Sequence, residues 1–171
     1  MKDREQFIIK EKKVGGDCGL VALEIGLSSL GIESDRRVLE KLSRFEPDII
    51  RKGQVVHSGY GVDQRGMVEA AAHYASPSVL RGFGIDNLGA CAKHLPVIVD
   101  YMDSDDMNNI NLYEDGHYAL LERVTPEKVI VFDQKGSHEY DKKDFIDRWW
   151  DMDRNTKGGI SKGWAMVLER K

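Results

Sequence analysis

The stretch "KKVGGDCGLVALEIGLSSLGI" (residues 12–32) sets a cysteine where two glycines and an aspartate give way to a long apolar run. Leu20, Val21, Leu23, Ile25 and Leu27 make the segment from Cys18 to about Leu30 apolar nearly all round. Such a helix is expected to be buried. Gly31 closes it in the way a C-terminal glycine does. Cys18 therefore falls at the helix N-terminus, where unpaired N–H groups and the positive end of the dipole stabilise a thiolate. Gly19 would let a substrate approach the backbone, and Gly15 and Gly16 allow tight turns into the site. The competing reading is a small cysteine buried for packing, which is common for this residue type. The fragment alone leaves both open.

The whole chain sets the limits within which that choice is made. Its 171 residues, 41% hydrophobic and 32% charged, fit one ordinary globular domain spanning 1–171. A net charge of −4 argues against a nucleic-acid partner, which would call for a basic face. No run approaches the eighteen apolar residues of a membrane span. The opening "MKDREQFIIKEKK" lacks the apolar core of a secretory signal. Only Cys18 and Cys91 could form a disulfide, so a reduced, cytoplasmic setting is expected, with export by another route left open.

"QFII" (6–9) suggests a short edge strand. Residues 34–45 read as a helix capped by Ser34 or Asp35. "GYGVDQRGMVEAAAHYA" holds a third helix capped near Asp63, and "GIDNLGACAKHL" a fourth capped at Asp86. The pattern then changes to strands: 95–102, 117–124 and 128–134, the last two joined by the turn signal "TPE". "DKKDFIDRWW" is a further helix capped by Asp141, and 163–170 a last strand. Helices in the first half and strands in the second predict an α+β fold, N-terminal helices packed on a mainly antiparallel sheet.

A nucleophilic cysteine needs a base, and the base needs an orienter. Of five histidines, His73 and His94 read as helix surface or helix end, His57 as solvated and His138 as part of a turn. His117 differs, because it opens a strand beside Gly116 at the mouth of a long loop. The predicted hairpin sets His117 and Asp133 opposite each other or nearly so, on one face. The carboxylate would accept Nδ1–H of His117 and leave Nε2 toward the thiol, which is the logic of a nucleophile–base–orienter triad. A half-buried His–Asp pair that only stabilises the hairpin is the alternative.

The blocks "GDCGLVALEIGLSSLGI", "GYGVDQRGMVEAAAHYA", "HLPVIVDYMD", "GHYALLERVTPEKVIVFDQKG" and "DFIDRWW", in this order, resemble the peptidase C39 and C39-like family. The resemblance implies a papain-like cysteine-protease fold, with Cys18 as nucleophile, His117 as base and Asp133 as orienter. It implies a peptide or protein substrate, cleaved through an acyl-thioester, and no cofactor or metal. The family usually places a glutamine six residues before the cysteine as an oxyanion-hole donor. Here that position is Lys12, which would either donate in its place or mark loss of the hole; the backbone N–H of Cys18 is the other donor. Gly16, Gly19 and Gly116 are the candidate substrate-binding positions. The same triad serves deamidation and acyl transfer, and a peptide-binding module without turnover is the rival from outside enzymology. Trp149, Trp150 and Trp164 read as packing, Cys91 as a structural thiol, and the acidic stretch 100–115 as a solvated flap, with contact to a basic substrate segment or a hard cation on its oxygens as the alternatives.

Overall fold

The computed structural model describes residues 17–47, 49–51, 54–57, 61–110, 116–153 and 159–171. Helix α1 (Cys18–Ser29) begins at the cysteine and ends where Gly31 adopts φ 71°. Leu20, Leu23, Ile25 and Leu27 on it are all at most 1% exposed, each worth about 1.5–3 kcal/mol relative to exposure. Helix α2 (Arg36–Ser43) is capped by Asp35, whose side chain accepts from Arg37 N at 2.8 Å. Residues Ile49–Arg51 (β1) and Gln54–His57 (β2) pair as a small antiparallel ribbon. Helix α3 (Gln64–Tyr74) is capped by Asp63, which accepts from Gly66 N at 2.7 Å.

The main sheet collects β3 (Ser76–Arg81), β4 (Val97–Met102), β5 (Gly116–Val124), β6 (Lys128–Asp133), β7 (Gly136–Asp141) and β10 (Trp164–Glu169). Their order across the sheet is β3-β10-β4-β5-β6-β7, and every neighbouring pair is antiparallel. Helix α4 (Ile85–Ala92) lies between β3 and β4 in the chain, and α5 (Lys142–Arg148) follows β7. A second ribbon, β8 (Trp150–Met152) with β9 (Ile160–Lys162), completes the structure. This is the α+β architecture the residue pattern predicts.

Helices cover both faces of the sheet, which explains why β4 is buried at every position and reads as a continuous apolar run. On one face α1, α2 and α3 pack Leu23, Leu39 and Met67 against Ile98, Leu120, Phe132 and Met166. On the other, α4 and α5 pack Leu88 and Phe145 against Val99, Ala119, Val131 and Val167. Trp149 and Trp164 are buried in these layers, and Cys91 lies half-buried against the second. Among the described residues no helix is long and apolar enough to cross a membrane.

Several local expectations are corrected. Helix α4 is entered through Gly84 rather than capped by Asp86, which sits in its first turn and pairs with Lys142 at 2.5 Å. Asp141 stands at the entry of α5 without a capping hydrogen bond and instead pairs with Lys128 at 2.8 Å. Segment 76–81, to which the sequence pattern assigns no element, and segment 136–141, where a turn is expected at His138, are strands, and both form edges of the sheet. His57 falls on β2. The predicted strand 6–9 lies outside the described residues.

Candidate active site

Three elements meet at the site. Helix α1 brings Cys18 on its first residue, β5 brings His117 on its second, and Asp133 ends β6. The β5–β6 register differs from the simple hairpin. Leu120 faces Phe132 and Leu121 faces Val131, but Arg123 faces Ile130, so a bulge at Glu122 shifts the ladder by one residue. Continued past Leu120, this register sets Asp133 opposite Ala119 rather than His117. Because alternate residues share a face, His117 and Asp133 are still same-face neighbours, on the diagonal.

They meet at 2.6 Å, His117 Nε2 to Asp133 Oδ2, with both side chains almost wholly buried. The nitrogen is the one opposite to expectation: Nε2 faces the carboxylate, which leaves Nδ1 for the thiol. His117 and Cys18 are in turn hydrogen bonded, and the backbone of Tyr118 also contacts the sulfur. His117 is further held by the edge of Tyr101, with ring centroids 5.6 Å apart.

The electrostatics follow from this chain of contacts. Burial alone would suppress the His117 cation, but hydrogen bonds to Asp133 and Cys18, and the charges of both, raise it to about 10. Burial works against the Asp133 carboxylate too, yet His117, Lys135 N and His138 together hold it down at about 2. Burial likewise opposes ionisation of Cys18, and the His117 hydrogen bond and charge overcome it, so the thiol titrates below its ordinary value. The arrangement favours the charged form of each group, a thiolate beside an imidazolium.

A second histidine touches the same carboxylate. His138 Nε2 lies 2.9 Å from Asp133 Oδ1, and Lys135 N donates to that oxygen at 2.6 Å. His138 belongs to β7, two residues into an edge strand, not to a turn. Its contact was missed because the sequence offers no turn residues beyond "QKG" to betray a second hairpin so short.

A buried acidic pair lies behind the thiol. Asp100, on β4 opposite Tyr118, is 1% exposed and hydrogen bonds to Asp151 of β8. Burial and the charge of Asp151 push Asp100 well above the usual carboxylate range. Burial pushes Asp151 up to about 6, although its hydrogen bonds to Asp100 and Met152 N pull the other way. Burial and the closeness of the two carboxyls thus favour the protonated form of both. Gln64 donates Nε2–H to Asp100 at 2.7 Å and accepts from Ser161 Oγ and Arg81 at 3.0 Å each. A lone aspartate inside the apolar run "VIVDYM" was the available signal for this network.

Two glycines singled out in the sequence have structural duties. Gly19 is buried, and a Cβ there would lie 3.0 Å from Met67 Sδ and 3.2 Å from Tyr118, so its small size lets α1 seat on α3 and β5. Gly116 makes room for the Asp151 carboxylate, whose Oδ1 would lie 2.6 Å from an added Cβ. Lys12 and Gly16 lie outside the described residues.

Comparison with known proteins bears on the fold. No family model and no curated protein matches the sequence. Solved structures do match. One described as a C39-like peptidase from Bacillus anthracis is 17% identical, with a TM-score of 0.68, covering 96% of this chain and 94% of that one. The peptidase domain of Streptococcus ComA, a bifunctional ABC transporter of a quorum-sensing pathway, is 18% identical with a TM-score of 0.61, covering 94% of this chain and 100% of that one. A double-glycine-motif protease from an AMS/PCAT transporter, in complex with the leader peptide, is 13% identical with a TM-score of 0.58, covering 95% and 91%. The molecule thus has the papain-like fold of the C39 and C39-like peptidases over nearly its whole length.

Proposed function

We propose that the protein is a C39-like cysteine peptidase in which Cys18 is the nucleophile, His117 the base and Asp133 its orienter. The observation that carries this reading is the continuous contact from thiol to imidazole to carboxylate, with the Cys18 thiol lowered despite its burial. A structural cysteine in an apolar setting would be pushed up instead.

In this mechanism the Cys18 thiolate attacks the carbonyl carbon of a peptide bond, forming the C–S bond as the carbonyl electrons move to oxygen. The N–H of Cys18, at the start of α1, is one donor to that oxyanion. Nδ1–H of His117 then protonates the leaving amine as the C–N bond breaks. Water, deprotonated by the now neutral His117, attacks the acyl-thioester and the thiolate departs. Asp133 keeps Nε2 engaged throughout, so that Nδ1 points at the sulfur.

The test is the alkylation of each thiol by iodoacetamide between pH 5 and 9, located by peptide mass spectrometry, in wild type and His117→Ala. Cys18 should react far faster than Cys91, with a midpoint well below the roughly 8.5 of a free thiol, and lose that advantage without His117. Equal, ordinary titration of the two thiols would sink the proposal and leave a peptide-binding module. If Cys18 is activated, peptide libraries and glutamine-containing proteins separate hydrolysis from acyl transfer and deamidation.

A further inference from the structure

Asp17 is buried immediately before the nucleophile, an arrangement that needs a counter-charge. Three anionic groups surround one guanidinium nearby: Arg36 Nη2 reaches Asp17 Oδ2 at 3.0 Å, Nη1 reaches Glu24 at 2.8 Å, and Nε reaches Glu40 at 3.3 Å. Arg36 opens α2, while Asp17 and Glu24 belong to the start and middle of α1, so the side chain spans the two helices. Asp17 itself does not cap α1 through its side chain. Its carboxylate is turned toward Arg36 instead, and it is 9% exposed overall.

We propose that Arg36 is a positioning residue for Cys18, holding Asp17 aside and cancelling its charge so that the nucleophile can ionise next to a buried carboxylate. This rests on the reading of Cys18 as the nucleophile. The groups facing the sulfur are few. His117 and Tyr118 come from β5 and Asp100 from β4, Asp17 precedes it on its own helix, and α3 offers Met67 to the first turn of α1. Of these, only His117 favours the thiolate by its charge. Asp17 opposes it, and its proximity to the sulfur is set by the chain and cannot be relaxed by distance. Arg36 is the group that answers Asp17, and its hydrogen bonds to Glu24 through Nη1 and to Glu40 through Nε fix where it can stand.

The sequence carries the consequence in plain view. An aspartate before a reactive cysteine is an electrostatic liability that a lone "DCG" does not explain. The compensating arginine lies one helix later, behind a loop.

The experiment measures the pH midpoint of Cys18 alkylation by iodoacetamide in Arg36→Met, Asp17→Asn and the double variant, with folding checked by circular dichroism. Arg36→Met should raise the midpoint by about 0.5–1 pH unit, about three- to tenfold in rate at a fixed acidic pH. Asp17→Asn should lower it, and the double variant should return close to wild type. A purely structural Arg36 predicts that the double variant stays as slow as Arg36→Met, which overturns the proposal. If Arg36→Met does not fold, Asp17→Asn decides alone, since an unchanged midpoint there removes the liability that Arg36 is said to answer. Wild-type Cys18 reacting no faster than Cys91 would instead defeat the nucleophile assignment, a different outcome from either.

Discussion

Asp133 reaches His117 from a diagonal position in the β5–β6 ladder, and it takes Nε2 rather than Nδ1. That register sets Asp133 opposite Ala119, two residues from His117, and with Nε2 on the carboxylate the imidazole leaves Nδ1 for Cys18. Asp133→Asn keeps the shape of this contact and removes its charge. His117, raised to about 10 largely by Asp133 and Cys18, should then fall, and the thiolate should become harder to form. The alkylation midpoint of Cys18 is expected to rise by about one pH unit or more, with the protein still folded. An unchanged midpoint would mean that Asp133 serves the hairpin alone.

The second contact of that carboxylate separates geometry from charge. His138 donates to Asp133 Oδ1 at 2.9 Å from a position about a third exposed. Glutamine at 138 retains an N–H donor of similar reach, and alanine does not. His138→Gln should alkylate Cys18 within about twofold of wild type, while His138→Ala should be slower by about two- to tenfold, the worth of one hydrogen bond. Both variants matching wild type would show that Lys135 N alone suffices to hold the carboxylate.

Much of this site is legible in the sequence because it sits on strongly patterned elements. The apolar run after Cys18 fixes α1, and its first residue is where a helix start was expected. The strands carrying His117 and Asp133 are apolar enough to be read, and the two share a face because Asp133 falls opposite Ala119, two residues and so one full side-chain period from His117. What could not be read has a common physical character. The bulge at Glu122 costs one residue of register and leaves no mark in composition. The strands at 76–81 and 136–141 are sheet edges with half-exposed side chains, so they lack an apolar signature. Arg36, Asp100 and Asp151 reach the site from separate elements, and only tertiary packing brings them there.

The Asp100–Asp151 pair makes a prediction about stability and pH. Asp151 is raised to about 6 in the folded protein, chiefly by burial, against about 3.9 in the unfolded chain. The folded state therefore binds the extra proton more tightly. Its contribution is complete below the unfolded value and is lost as pH rises through about 6. Asp151→Asn removes this titration and can donate its amide N–H to Asp100. Urea denaturation should find the variant more stable than wild type at pH 7 by on the order of 1 kcal/mol, with the difference shrinking toward pH 4. A difference that stays constant from pH 4 to 7 would contradict the raised titration of Asp151.

Gly116 tests the same pair from the side of the catalytic strand. It precedes His117, pairs with Met102 across β4–β5, and leaves the volume that the Asp151 carboxylate fills. An alanine there would overlap that carboxylate, which is held in place by Asp100 and Met152 N. Gly116→Ala should cost about 1–3 kcal/mol, as overpacking of a filled site does. In an Asp151→Ala background the obstructing group is gone, so the same substitution should cost less than half as much. The gap between the two costs, read from urea midpoints, is the coupling between residues that touch. Equal costs in both backgrounds would show that the carboxylate does not occupy the space beside Gly116 in solution, and the acidic pair would then have to be placed away from His117.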